Sequence, residues 1–286
     1  MSKSLIKADI HQGIVSRLYI YLIPMLLGLS YTDMFIRQMS DVRTGTAEAY
    51  LLSFGDCIVN FFKGMREYVP SDHNPFDVPI QFLIVNLVLA IFIGNYPMKD
   101  IHGFGKLKLV RSRTRLDWWL GKCVWNICTV VMFYISMYIG MLIDCMMHAS
   151  QINMGSVSGF FSASSKVVDR IIGLNGGKLE SEVTFTLIMV VLPVITSIAL
   201  SLLQMSVALM TIPVVSYIML IAVYIFSAFY MRWFTPGNYL MAYRMKAVLP
   251  NGVDFMTAIA VDIVLMVIAV VAGNIYFRKY DIYSVQ

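Results

Sequence analysis

Two short motifs come close to catalytic signatures, and each lacks the residue that would carry the chemistry. The sequence GSVSG at residues 155–159 has the glycines of a serine nucleophile elbow, but Val157 stands at the nucleophile position. The sequence GLNGGK at residues 173–178 is one residue shorter than a phosphate-binding loop. Leu179 follows it in place of the hydroxyl residue that would hold Mg²⁺. We therefore predict that the chain is not an enzyme and does not itself bind ATP.

Two carboxylates, Asp33 and Asp262, fall inside apolar stretches and are candidates for intramembrane chemistry. A carboxylate within a bilayer is costly unless it is paired or hydrated, so each is a candidate functional residue. The alternative is that both reach the outer interface, where they are solvated or paired with an arginine. Two such groups are fewer than a proton-driven carrier usually needs, which leaves an ion-coupled carrier as the alternative function.

The cysteines and histidines form no recognisable metal motif. The four cysteines show no CxxC spacing, and none of the four histidines stands in an HExxH sequence. We therefore expect no metal site and no disulfide scaffold. Cys57 and Cys145 share the outer side in the topology derived below, where free thiols are expected and pairing is the alternative.

The composition indicates a polytopic membrane protein. The chain has 286 residues, of which 58% are hydrophobic and 14% charged, with a mean hydropathy of +0.72. Soluble domains usually carry about 25% charged residues. The net charge of +5 does not indicate nucleic-acid binding, because the basic residues flank apolar stretches instead of forming one solvated face.

Six membrane-spanning helices are the simplest interpretation of the apolar stretches, since a span needs about 20 mostly apolar residues. No charged residue occurs between Glu182 and Arg232, and a single helix over those 49 residues would be roughly 73 Å long. This stretch must therefore fold back, near residues 204–213. The predicted spans are residues 18–35, 78–95, 119–143, 183–204, 211–231 and 255–277 of one transmembrane domain that covers residues 1–286.

Basic residues set the predicted orientation. The segment 96–122 carries seven of them, and Lys and Arg near span ends are retained in the cytoplasm. Residues 1–17, residues 96–118 and both termini are thus expected inside, and residues 36–77 and 144–182 outside. Trp118 and Trp119 fit an interfacial belt on the inner side. The seven basic residues are Lys99, Lys106, Lys108, Arg111, Arg113, Arg115 and Lys122.

The two long outer segments differ in character. Between residues 47 and 69 apolar residues recur at helical spacing, with Asp56, Lys63 and Glu67 between them. This pattern predicts an amphipathic helix at the outer membrane surface, with packing on the protein's own spans as the alternative. Residues 144–182 are rich in Ser, Gly and Asn and are expected to form an irregular loop.

The basic segment also has a pattern of its own. Ile101, Phe104, Leu107 and Val110 lie three residues apart, which is compatible with one face of a short helix. A short amphipathic helix on the cytoplasmic side is a natural docking surface for a soluble partner.

These features resemble the ABC-2 type ABC transporter permeases, which combine six spans, inner termini, a basic helical loop between spans two and three and a tight hairpin of spans four and five. GKLKLVRSRTRLDWWLGK at residues 105–122 is similar to the family's coupling helix and its basic entry to span three. TPGNYLMAYR at residues 235–244 resembles the outer segment before span six, and FRKYDIY at residues 277–283 resembles the terminus of Gram-positive members. The size and loops also look similar to permease subunits of phenol-soluble modulin exporters.

The resemblance implies an all-α exporter subunit in the bacterial cytoplasmic membrane, paired with a second copy or a related permease. Each subunit would dock a separate ABC ATPase, which binds the ATP and Mg²⁺, through its coupling helix. The cargo expected from it is an amphipathic peptide of toxin or antimicrobial type, with lipid-like or drug cargo as the alternative. The residues expected to dock the ATPase are Lys99, Asp100, Ile101, His102, Phe104, Leu107 and Lys108.

Overall fold

Helices make up most of the chain that the structure, a computed structural model, describes: residues 3–44, 51–68, 79–94, 115–174, 179 and 181–279. These residues contain two isolated bridges and no strand, which confirms the all-α prediction. The α-helices are α1 (Lys3–Gly13), α2 (Leu22–Thr44), α3 (Phe54–Phe61), α4 (Ile80–Gly94), α5 (Arg115–Met147), α6 (Val157–Phe161), α7 (Ser165–Ile172), α8 (Glu182–Met210), α9 (Pro213–Phe229) and α10 (Phe255–Lys279). Three 3₁₀ helices cover Val15–Tyr21, Pro236–Leu240 and Ala242–Arg244.

The long helices make this a membrane-embedded protein. Four helical stretches among the described residues are long and apolar enough to cross a membrane: Lys7–Ser40, α5, α8 and α10. α4 and α9, at the predicted second and fifth spans, are apolar but have only 15 and 17 residues. On α10, Val264 and Val267 are each 56% exposed, which is unfavourable in water and favourable in lipid.

Two helix pairs organise the packing. α8 packs along α10 and also contacts α4, α5 and α9, while α2 packs along α5. The α2–α5 contact is close because glycines face backbone across it. A Cβ on Gly140 would overlap the carbonyl oxygen of Met25, and one on Gly28 would overlap that of Met137. Such small-residue contacts are how membrane helices approach closely without a hydrophobic driving force.

The predicted outer amphipathic helix is shorter and more buried than expected. It is α3, eight residues long, and its residues from Phe54 to Val59 are buried against the bundle. Asp56, which the sequence pattern placed on a polar face, is fully buried: its carboxylate accepts hydrogen bonds from the backbone N–H groups of Ser53 and Ser164 at 2.8 Å. Burial raises the pKa of Asp56 to about 7. The packing alternative therefore describes α3.

The irregular loop predicted for residues 144–182 contains two short helices, α6 and α7. Ser156 caps α6 by accepting a hydrogen bond from the N–H of Gly159, and α7 ends at Gly173, which has a positive φ of 75°. Glu182 accepts a hydrogen bond from the N–H of Ser165 at 2.6 Å. Two of the Ser and Gly residues that suggested a loop, Ser156 and Gly173, thus cap these helices.

The bundle has two ends, which we name by their contents. The basal end holds α1, the start of α5 and the end of α10, because Lys122 contacts Asp9 and Arg115 contacts the backbone of Arg278. The distal end holds α3, α6, α7 and the 3₁₀ helices of residues 236–244. Both chain ends described by the structure therefore lie at the same end of the bundle.

Candidate functional site

The predicted docking residues, Lys99, Asp100, Ile101, His102, Phe104, Leu107 and Lys108, lie outside the described residues, which stop at Gly94 and resume at Arg115. What the structure describes is the point where this segment re-enters the bundle. Four residues on the first two turns of α5 hold it there, and we call Arg115, Trp118, Trp119 and Lys122 the α5 anchor.

Three residues of the anchor bind α5 to α10. Arg115 donates hydrogen bonds to the carbonyls of Phe277 (3.4 Å) and Arg278 (2.8 Å), and the Trp118 ring stacks on that of Phe277 with centroids 4.6 Å apart. Trp119 donates its indole N–H to the carbonyl of Val270 at 2.9 Å, and its ring fills the space left by Gly273. Both tryptophans are buried against α10 instead of forming the predicted interfacial belt.

The fourth residue of the anchor binds α5 to α1. The Lys122 ammonium lies 2.9 Å from the carboxylate of Asp9, with side-chain exposures of 0% and 4%, and it also lies 5.2 Å from the ring centre of Trp118. A buried ion pair of this kind is costly to break, because each partner would leave an uncompensated charge. The anchor therefore ties the basic segment to both the N-terminal helix and the last helix.

A seam of polar side chains runs along α8 toward the distal end. Asn126 and Ser201 bond to each other (2.6 Å), Tyr134 and Ser197 share a hydrogen bond of 2.7 Å, and the Ser206 hydroxyl donates to the carbonyl of Ala269. Hydrogen bonds between helices stabilise bundles in lipid by about 0.6 kcal/mol each. This seam fixes how α8 sits against α5 and α10.

The two intramembrane carboxylates have different surroundings. Asp262 on α10 is fully buried and accepts a hydrogen bond from the hydroxyl of Thr196 at 2.7 Å, so the solvated alternative does not hold for it. Its other oxygen has no partner among the described residues. Asp33 on α2 is paired with Arg37 at 2.8 Å and its side chain is 29% exposed, as the alternative interpretation expected.

The distal end is held together by Arg244, which has no exposed surface. Its guanidinium donates to six oxygens from three segments of chain, and none of them is a carboxylate oxygen. Burial lowers the pKa of Arg244 to about 10, so it is charged at neutral pH. The acceptors are the carbonyls of Met65, Arg66, Ser227, Ala228 and Tyr230 and the amide oxygen of Asn238.

An open groove of about 620 Å³ lies at the distal end, between the starts of α8 and α10. It is lined by apolar side chains, which include Phe185, Ile188 and Phe255, and by polar ones, which include Ser181 and the exposed ion pair of Lys246 and Asp254 (3.9 Å). A lining that combines apolar and charged side chains suits a molecule that has both characters.

A comparison with known protein families identifies one family to which the chain is similar. The family model described as "Protein of unknown function (DUF2705)" matches residues 64–283, about three quarters of the sequence. The chain belongs to this DUF2705 family. No curated protein and no solved structure matches it significantly. The DUF2705 match includes the α5 anchor, Arg244, the groove and Asp262, while Asp9 and Asp33 precede it.

Three residues that organise this DUF2705 chain were not singled out from the sequence: Asp9, Lys122 and Arg244. Lys122 entered only as one of the seven basic residues that set the orientation and as the end of the segment 105–122, and Arg244 only as the end of the segment 235–244. A usable signal existed for Lys122, which stands among Trp118, Trp119 and Cys123 in an otherwise apolar stretch. A cation in such surroundings needs a buried partner, but the sequence does not identify Asp9 as that partner.

Proposed function

We propose that the chain is the transmembrane subunit of an ATP-driven exporter, with α2, α4, α5, α8, α9 and α10 as its six spans. The basal end and the basic segment of residues 96–122 face the cytoplasm, where a separate ATPase binds. Two such subunits, identical or related, form the path. The shorter α4 and α9 are accommodated by local thinning of the bilayer or by packing on α8.

The α5 anchor is the observation that supports this proposal best. An exporter must convert movement of its ATPase into movement of its spans, so the docking segment has to be firmly attached to them. Here the last residues of the basic segment are bound to α10 through Arg115 and Trp118 and to α1 through Lys122. A displacement of the segment would therefore move three helices together.

The distal groove supports an amphipathic cargo. Phe185 and Phe255 offer contacts to an apolar face, and the Lys246–Asp254 pair offers contacts to a charged one. A peptide of toxin or antimicrobial type has both faces. Lipid-like or drug cargo would use the same chemistry, and competition between such compounds and an amphipathic helical peptide would rank them.

Co-purification with a candidate ABC ATPase subunit co-expressed with the chain tests the proposal. Replacing both Phe104 and Leu107 with Asp should weaken the complex by more than about 100-fold, because two central apolar contacts contribute about 2 kcal/mol each. The matched control is the double change of Val157 and Phe161 to Asp, which puts the same charges on exposed residues of α6. Undiminished co-purification of the Phe104/Leu107 variant, or equal loss in both, would contradict the proposal.

A second candidate, an ion-coupled carrier, rests on the burial of Asp262 against Thr196. Asp262→Asn separates the two functions. In an ATP-driven exporter the amide oxygen of the introduced asparagine would accept the Thr196 hydrogen bond in place of the carboxylate oxygen. The change in free energy should be about 1 kcal/mol, so the transport rate should fall less than about tenfold. In a carrier that moves a proton on Asp262, transport at normal expression should be abolished and should lose its pH dependence.

Transport of a fluorescent amphipathic peptide into inverted vesicles, with and without ATP, reads out this prediction. Thr196→Val, which removes the donor and keeps the carboxylate, is the matched control for packing at this position.

A further inference from the structure

Three side chains from two helices converge near the distal ends of α2 and α5. Asp33 lies on α2, Asp144 lies in the last turn of α5, and His148 follows one turn later. One ligand atom from each lies within 4.8 Å of the other two. Nε2 of His148 is 3.5 Å from an oxygen of Asp33, while Nδ1 is 3.6 Å from a carboxylate oxygen of Asp144 and 3.2 Å from the backbone carbonyl of Asp144.

The Asp144 carboxylate has an unusual environment. Its side chain is 1% exposed, and neither of its oxygens accepts a hydrogen bond from the residues that the structure describes. A buried polar group without a partner is unfavourable, and a buried carboxylate more so. The carboxylate points toward His148 and Asp33, both of which reach solvent with 23% and 29% of their side chains exposed. A metal ion therefore has a route to a carboxylate that accepts no hydrogen bond from the described residues.

Helix packing fixes this arrangement. Asp144 and His148 are four residues apart, so they lie on one face of the chain. The glycine contacts of Gly28 and Gly140 set the separation of α2 and α5 about one turn earlier, and Asp33 projects across that interface. The two carboxylates are thus held by helices, and His148 stands in the turn that directly follows α5, where its backbone N–H still donates to the carbonyl of Asp144 at 3.0 Å.

We propose that Asp33, Asp144 and His148 bind a divalent transition-metal ion of the Zn²⁺ type. Two carboxylates and an imidazole suit Zn²⁺ and its neighbours better than Ca²⁺ or Mg²⁺, which prefer oxygen ligands throughout. In a tetrahedral site with bonds of about 2.1 Å the ligand atoms are about 3.4 Å apart. His148 Nε2 lies 3.5 Å from an oxygen of Asp33, and one ligand atom from each of the three residues lies within 4.8 Å of the other two. This proposal differs from the expectation of no metal site. The spacing of residues in the sequence could not suggest it, because Asp33 is more than 100 residues from the other two.

Arg37 is the cation that competes with the metal. Its Nε donates to both oxygens of Asp33 at 2.8 and 2.9 Å, and its side chain is 72% exposed, so it can swing into solvent when an ion binds. The competing explanation of the cluster is a metal-free ion pair in which a protonated His148 lies between the two carboxylates. R37Q separates the two, because it removes the competing charge without touching the three ligands.

Titration of the purified full-length protein with Zn²⁺ in detergent, after removal of metals by a chelator, tests the proposal. We expect one ion per chain, and D144N and H148Q should each weaken binding by at least about 10- to 100-fold. R37Q should bind at least as tightly as the wild type. Co²⁺ should show the visible absorption of a tetrahedral or five-coordinate site, and equimolar Ca²⁺ should not displace it.

H11Q and D254N are matched controls, since His11 is exposed at the basal end and Asp254 is an exposed carboxylate at the distal end. Gel-filtration profiles establish that each variant is folded. The proposal is overturned if neither the wild type nor R37Q takes up Zn²⁺. It is also overturned if binding survives D144N and H148Q and is lost in C57S. That result would assign the ion to Cys57 and Cys145, whose sulfurs lie 3.7 Å apart. The assay involves no ATPase, so its outcome is independent of the proposed transport function.

Discussion

Arg244→Met is expected to destabilise the distal end by about 4 kcal/mol, which corresponds to a melting temperature roughly 10 °C lower. The substitution keeps an unbranched side chain but removes every donor from six oxygens that are otherwise hidden from water. The end of α9, the segment after α3 and the 3₁₀ helices lose their common partner at once. Thermal unfolding in detergent, followed by gel filtration, measures the effect.

Two further variants serve as controls for Arg244→Met: one removes an exposed arginine nearby, and the other keeps the charge at residue 244. Arg232→Met removes an exposed guanidinium from the same region and should change stability by less than about 0.5 kcal/mol. Arg244→Lys keeps the charge but lacks the planar set of five N–H groups, so it should recover only part of the loss. If Arg244→Met had the same melting temperature as the wild type, the carbonyls would have other hydrogen-bond donors and this account of the distal end would be wrong.

Lys122→Met should be comparably harmful at the basal end, at about 3–5 kcal/mol, because it removes the ammonium that lies 2.9 Å from the buried Asp9 carboxylate. The double variant Asp9→Asn/Lys122→Met should be closer to the wild type than the single variant, since it buries no unpaired charge. Equilibrium unfolding of the four proteins in a double-mutant cycle gives the interaction energy.

The ion pair of Lys246 and Asp254 is the matched control for this cycle. It is 3.9 Å long, with side chains 64% and 46% exposed, so Lys246→Met should cost less than about 1 kcal/mol. A double variant at Asp9 and Lys122 that is as unstable as Lys122→Met alone would show that the charge of Asp9 is not the cause.

The positions of the apolar helices could be predicted because every helix that crosses a bilayer needs about 20 mostly apolar residues. A helix occurs at each of the six predicted positions, and the break between α8 and α9 falls at residues 211–212, inside the predicted 204–213. Lengths were less predictable. α2 continues to Thr44, beyond the predicted end at residue 35, and the pair of Asp33 and Arg37 one turn apart stabilises that charged extension.

The environment of a polar residue was harder to predict than its presence in a helix. Asp56 looked like part of a solvated face, yet its partner Ser164 is 108 residues away and no local pattern announces it. The same holds for Thr196 beside Asp262. Trp118 and Trp119 were predicted to be interfacial because they stand at the start of a span. The sequence does not reveal that Gly273 leaves room on α10 for the indole of Trp119. Pairings between distant segments are set by tertiary packing.

The length of α5 has a mechanical consequence. Its 33 residues make a rod of about 50 Å, which exceeds the roughly 30 Å of the hydrocarbon core. Gly140, where a Cβ would overlap the carbonyl oxygen of Met25, lies about 27 Å along the helix axis from Lys122 and about 12 Å from His148, the first residue after the helix. If α5 tilted as a rigid body about Gly140, a displacement of about 3 Å at Lys122 would displace His148 by about 1.3 Å in the opposite direction. The helix would thus transmit a movement of the basal end to the distal end at less than half its amplitude.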